Sequence, residues 1–354
     1  KVSCDSAMWN NVMYYTSGLY IDTLSTVNGC DSIVTLNLNI NYTVFSNDTI
    51  VSCDSYDWNG TTYLVSGQYV DTFNFFGNNS VPNYYNSIDI NLSGDSLKSV
   101  LSNLISSTQH TNLSYTSTSF DTWDLLKSSD LDLLSISNIR LVYGYDDSDL
   151  NIENDVTRSK DSSCHSSSCY GLWVREHVFP KSLATPSMVV SSAGTGTDVH
   201  NLRACDYTTN AVRNNKKYGY GSGNSGNNIN GNWYPGDEWK GDVARIVMYM
   251  QLRYPNQCSS ISVGEGSISY DVSGEMVDVF LDWNSSDPVS DFEINRNNEI
   301  SQIQGNRNPF IDNPILATKI WGGPFAQNRW NSTCDSIVTL NLTINNSLVV
   351  DTIN

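Results

Sequence analysis

Charged side chains are scarce in this 354-residue chain, at 16% of the sequence, and basic ones are scarcest: 19 Lys and Arg stand against 37 Asp and Glu, a formal charge of −18. That balance excludes a generally basic nucleic-acid coat protein, although a local basic site remains compatible with it. No stretch approaches the roughly 20 apolar residues of a membrane span, so a soluble protein with no membrane span is expected. The chain opens on Lys1 without a charged, apolar leader, which reads as a mature or excised piece. What is abundant is Ser, Thr, Asn, Gly and Tyr, together with 39% hydrophobic and 11% aromatic residues. That content excludes disorder and is usual in secreted or cell-surface β-rich proteins. At roughly 100–200 residues per domain the length predicts two or three domains, and no protein partner can be inferred.

Repetition organises the ends of the chain. Ser3-Cys4-Asp5-Ser6 recurs as Ser52-Cys53-Asp54-Ser55, and Ser17-Gly18-Leu19-Tyr20 as Ser66-Gly67-Gln68-Tyr69. Each copy alternates β-formers with polar residues around turn signals, the pattern of short antiparallel strands. The first copy finishes with Cys30-Asp31-Ser32-Ile33-Val34-Thr35-Leu36. The second lacks that ending where it is due, and Cys334-Asp335-Ser336-Ile337-Val338-Thr339-Leu340 supplies it far downstream. Two readings stand: a globular domain inserted into a loop of the second unit, or a third, truncated unit beginning near 332. The expected domains are 1–50 (a β-unit), 51–79 (the start of a second), 80–331 (a globular domain) and 332–354 (the remaining strand). An even count of eight cysteines favours disulfides. The repeat suggests Cys4–Cys30 and Cys53–Cys334, and Cys164–Cys169 with Cys205–Cys258 is the preferred remainder. Cys164, His165, Cys169, His200 and Cys205 leave zinc as an alternative. The end units resemble the Cys- and Trp-containing β-repeats of secreted Bacteroidetes-type proteins.

The middle segment is mixed α and β. Leu97, Val100, Leu101, Leu104 and Ile105 keep a helical period behind Asp95, a candidate N-cap. Ile139–Tyr143 reads as a short strand, and Val243, Ile246, Val247 and Met250 as a second helix. Ser290-Asp291-Phe292-Glu293 is a capping box for a third, ending at Gly305. Trp173-Val174-Arg175-Glu176-His177-Val178 embeds a charged triplet in an apolar strand, which is costly unless the charges serve one another or a ligand. Thr197–Arg203 alternates like a second strand, and a helix begins near Tyr207. The order is strand, strand, helix.

These blocks, with Pro180-Lys181-Ser182, Asp198-x-His200-Asn201-Leu202, Asn210-x-x-Arg213 and Gln304-Gly305-Asn306-Arg307-Asn308-Pro309, resemble the bacterial secreted endonuclease I group of ββα-metal (His-Me finger) nucleases over about 80–326. The expected fold class is therefore α+β: a ββα-metal nuclease domain inserted in or flanked by small all-β repeat units. The resemblance implies that Glu176 and Asn210 hold one Mg²⁺, with Mn²⁺ or Ca²⁺ as stand-ins, and that His177 is the general base. The implied activity is secreted, non-specific endonuclease cleavage of DNA or RNA to 5′-phosphate products. Glu176 and His177 are neighbours, and neighbours on a regular strand face opposite ways, so they must meet at a strand end or an irregularity. Residues 183–202 hold no Arg or Lys, whereas some members carry in that segment an arginine that contacts the scissile phosphate. Arg213 is the favoured substitute in the catalytic set, and Arg175, Lys181 and Arg203 are expected to bind substrate. Nine basic and six acidic residues fall within 171–260, a net of +3 against −21 for the remainder, as a phosphate-binding cleft in an acidic protein would require. The rivals are a catalytically idle nucleic-acid-binding fold and an adhesive scaffold.

Overall fold

The structure, a computed structural model, describes residues 2–4, 7–9, 12–16, 18–24, 32–41, 44–58, 61–73, 82–166, 168–330 and 336–345. It divides into two compact units, Lys1–Val81 with Arg329–Asn354, and Pro82–Asn328.

The first unit contains two small sheets built alike. In one, Ser32–Asn41 lies between Val2–Cys4, to which it is parallel, and Gly18–Leu24, to which it is antiparallel. In the other, Ser336–Asn345 lies between Val44–Cys53, parallel, and Gly67–Phe73, antiparallel. Registers agree as well: Gly18 faces Leu38 and Gly67 faces Leu342, while Cys4 faces Asn41 and Cys53 faces Asn345. Leu38 and Leu342 are buried. The Tyr20 hydroxyl donates to the Thr16 carbonyl at 2.8 Å, and that of Tyr69 to Val65 at 2.7 Å, so each corner closes on the same side-chain bond.

The second unit is helical around a minimal sheet. Helix α1 (Gly94–Thr108) starts after Ser93, so Asp95 lies inside its first turn and is not the cap. Helix α2 (Thr122–Ser129) is opened by Asp121, which accepts the Trp123 N–H at 2.7 Å. Strand β1 (Trp173–His177) pairs antiparallel with β2 (Leu202–Asp206), and α3 (Tyr207–Arg213) follows at once. Asp206 ends β2 and caps α3 by accepting from Thr208 and Thr209, which sets the sharp strand-to-helix turn. Helix α4 (Lys240–Arg253) is buried from Gly241 to Leu252. Helices α5 (Asp278–Ser286) and α6 (Asp291–Gln304) come next. The capping box of Ser290 and Glu293 opens α6, and Gly305, at φ 94°, closes it in the left-handed region.

Trp173, Leu202 and Ala204 of the two strands pack with Trp123, Leu125 and Leu126 of α2 and with Ile300 of α6 in one core. Each large side chain fully buried there contributes about 1.5–3 kcal/mol, which holds β1 firmly enough for its last residues to be functional.

Three expectations are corrected. Residues 197–201 form two single turns, Thr195–Thr197 and Val199–Asn201, and the second strand begins only at Leu202. Cys205 and Cys258 are separate buried thiols, and the Cys205 thiol points to the Val142 carbonyl. Cys53 is a free, exposed thiol; Cys30 and Cys334, and with them the expected Cys4–Cys30 and Cys53–Cys334 pairings, lie outside the described residues. Cys164–Cys169 is a disulfide, which removes the zinc set built on those two sulfurs.

Candidate active site

A cleft of about 440 Å³ opens where β1 meets α3, and Glu176, His177, Lys181, Asn210 and Arg213 line it together with Tyr115 and Tyr207. Along β1 the pleat sends Trp173, Arg175 and His177 toward the aromatic wall made by Trp123 and Tyr115. Glu176 goes the other way, toward α3. His177 is the last residue of β1, so the cleft lies around the strand end and receives both neighbours.

The imidazole is fixed by a backbone group. Nε2 of His177 lies 2.8 Å from the Gly196 carbonyl oxygen. A carbonyl only accepts, so Nε2 carries the hydrogen and the lone pair resides on Nδ1. Burial pushes the His177 pKa down to about 3, opposed by the Gly196 bond and reinforced by Lys181, Arg175 and Arg213. The ring is therefore neutral at neutral pH. Position 196 requires glycine because a Cβ there would lie 2.2 Å from the Val189 carbonyl oxygen. The turn carrying Gly196 is anchored by Asp198, whose carboxylate accepts from the His200 N–H, Gln304 and the hydroxyls of Tyr249 and Tyr254.

Glu176 is buried, with its Oε1 accepting the Tyr143 hydroxyl at 3.1 Å and lying 3.3 Å from Arg213 Nε. Burial raises its pKa, offset in part by Arg213 and Tyr143. Tyr143 also shares a 2.7 Å bond with the Tyr218 hydroxyl, and its backbone is held at φ 75°. Such left-handed strain in a bulky residue survives only where surrounding structure enforces it. Asn210 sits on α3 with its carboxamide bonded to no group among the described residues.

The expected cations separate into three kinds. Arg213 lines the cleft but is fully buried: it donates to the Val178 and Asn214 carbonyls and packs on Tyr218. It pairs with Glu176. Arg203 is placed differently. It lies outside the cleft lining, fully buried, bonded to Asp130 at 3.1 Å and Asp242 at 3.0 Å. Arg175 lines the cleft, yet its guanidinium bonds the Tyr115 carbonyl, Thr116 and Thr122 and lies 3.4 Å from the Tyr115 ring centre. The Lys181 ammonium makes no ion pair or hydrogen bond among the described residues, and Nζ is 5.8 Å from the Tyr115 ring centre. It is the cation the cleft leaves available. Tyr115, Tyr143 and Gly196 were not picked out from sequence. The Gly-Thr-Gly-Thr run at 194–197 carried a signal for a tight turn, whereas nothing local marked the two tyrosines.

Among the described residues no three His, Cys, Asp or Glu side chains gather as a metal-chelating set. The cleft instead offers one carboxylate, Glu176, the carboxamides of Asn210, Asn214 and Asn215, and open space. That donor set fits a hard divalent cation that keeps most of its waters, and fits zinc or copper poorly.

A neutral imidazole with a fixed lone pair, a buried carboxylate and an open carboxamide around one cleft are the equipment of a hydrolase. Residues 93–315 match the Endonuclease I family. Over 241 residues the chain is 39% identical to an extracellular ribonuclease of Bacillus subtilis (strain 168), covering 64% of this chain and 75% of that protein. An extracellular ribonuclease of Bacillus amyloliquefaciens is 37% identical over 242 residues, covering 65% and 75%. The chain belongs to the Endonuclease I family, and it is a nuclease.

Proposed function

We propose that this chain is a secreted endonuclease that hydrolyses phosphodiester bonds of DNA and RNA with little base preference, uses one divalent cation, and leaves 5′-phosphates. The observation that carries the reading is the bond from His177 Nε2 to the Gly196 carbonyl, made in the cleft that also holds Glu176 and Asn210.

His177 Nδ1 removes a proton from the attacking water, the step its neutral state and fixed ring suit. Glu176 and Asn210 would hold the cation, Mg²⁺ by preference, each with one oxygen. When bound, such an ion stabilises the charge gathering on the phosphate and on the departing 3′ oxygen. Arg213 and Tyr143 keep the Glu176 carboxylate aimed, and Lys181 attracts and orients the phosphate. These groups address the backbone of the substrate rather than base edges, which supports low sequence preference. Secretion is supported by the two extracellular relatives and by the Cys164–Cys169 disulfide, since such bonds persist in oxidising compartments. The like-for-like pairing of Ser32–Asn41 and Ser336–Asn345 supports a nuclease inserted into the second of two small β-units.

Plasmid DNA and a structured RNA incubated with the full chain, with and without EDTA and alongside His177→Ala, test the reading. EDTA should abolish cleavage, and the variant should lose on the order of 10²–10⁴ in rate. Cleavage by His177→Ala at the wild-type rate would refute it.

A further inference from the structure

One aromatic side chain in the cleft makes no ring, cation or side-chain hydrogen-bond contact among the described residues. Tyr207 is 39% exposed and is the first residue of α3. Among the described residues its ring meets no other ring or cation and its hydroxyl has no partner. Tyr115, across the same cleft, is by contrast covered by Arg175 and His177. Tyr207, Asn210 and Ala211 all line the cleft, and their spacing of three and four residues puts them on one face of α3. The free ring therefore starts three residues, about 4.5 Å along the axis, from the carboxamide assigned to the reacting phosphate's cation.

We propose that Tyr207 is a stacking platform for the nucleobase next to the cleaved bond, and that it biases the enzyme toward unpaired strands. This rests on the catalytic reading of Glu176, His177 and Asn210. An unpaired base has a free face and can lie on an exposed ring whatever its identity, which agrees with low sequence preference. A base within a duplex is already stacked on both sides, and must be unstacked and unpaired to reach Tyr207, at a cost of a few kcal/mol. Lys181, in the same cleft, supplies the positive charge that such a platform needs to track the backbone.

The test compares kcat/KM of the full chain on a fluorescent single-stranded oligonucleotide and on the duplex of the same sequence, for wild type, Tyr207→Ala, Tyr207→Phe and His177→Ala. Tyr207 is exposed, so circular dichroism and thermal melting of its variants should match wild type. Tyr207→Ala should lose about tenfold on the single strand and stay within about twofold on the duplex, with Tyr207→Phe close to wild type on both. An equal loss on both substrates, or no loss on either, overturns the platform. If His177→Ala is impaired as expected while Tyr207→Ala does not discriminate strands, this inference alone fails; if His177→Ala cuts at the wild-type rate, the catalytic reading fails and takes this inference with it.

Discussion

His177 is a usable base only while the Gly196 carbonyl stays 2.8 Å from its Nε2. Substituting Gly196→Ala would push a methyl toward the Val189 carbonyl, 2.2 Å away, and the peptide must shift to make room. Misplacing a catalytic group by about 1 Å costs on the order of 10²-fold. Steady-state kinetics should therefore show kcat falling by that order with KM changed far less. Lys181 acts differently, through charge at a site open to solvent. Lys181→Ala should weaken DNA and RNA alike, and the slope of log(kcat/KM) against log[salt] should flatten by about 0.7–0.9, the contribution of one phosphate contact. An unchanged slope would remove Lys181 from the substrate path. The residues read from sequence were those whose charge looks misplaced in an apolar strand, Glu176 and His177, and those matched by motif, Asn210 and Lys181. The partners of Arg203 and Arg213, Asp130 and Asp242 for one and Glu176 for the other, were not legible, because they come from distant segments that no local pattern displays.

Elements were legible wherever the signal was local. The Ser290–Glu293 box and Gly305 bracket α6 as their chemistry requires, and α4 follows its apolar spacing. The second strand was misplaced because Thr197–Arg203 alternates like a strand but is bent into turns by Asp198, whose four donors include two tyrosines from α4 and its C-terminal cap and Gln304 at the end of α6. A buried carboxylate that gathers long-range donors outweighs a two-residue period. Another carboxylate tunes the start of α4: Asp287 Oδ2 accepts the Gly241 N–H at 2.8 Å. Burial raises the Asp287 pKa to about 6, against the lowering effects of Arg245 and Gly241. With a folded value above the unfolded one, protonated Asp287 favours folding below about pH 4, and that contribution is lost as the pH rises through about 6. Asp287→Asn keeps an acceptor for Gly241 and carries no charge. Its melting temperature relative to wild type should be higher at pH 8 than at pH 5; the reverse order would contradict the assignment.

At the scale of the whole molecule, much of the basic surplus of 171–260 proves to be internal. Arg296, Asp130, Arg203, Asp242, Arg245 and Glu293 form a buried chain of alternating charge, with contacts of 2.6, 3.1, 3.0, 3.8 and 2.6 Å in that order. It ties α2, β2, α4 and α6 behind the active site. Asp130 serves two arginines and the Ala204 N–H, so Asp130→Ala strands two buried cations. Breaking such a set costs about 3–5 kcal/mol, and calorimetry should show a fall of about 10 °C in melting temperature. High salt should not reproduce that loss, because buried pairs are poorly screened.

The second small sheet has a consequence for synthesis. Its outer strands, Val44–Cys53 and Gly67–Phe73, leave the ribosome long before the central strand Ser336–Asn345 that joins them. At roughly 5–20 residues per second, the intervening ~260 residues take about 13–50 s to translate. Throughout that interval two strand edges lack the neighbour they were made for, and bare edges invite pairing with other chains. A nascent polypeptide arranged in this way must finish the catalytic unit first and close its β-module last. Stalling translation just before residue 336 should therefore release an active nuclease on a frame that has not yet shut.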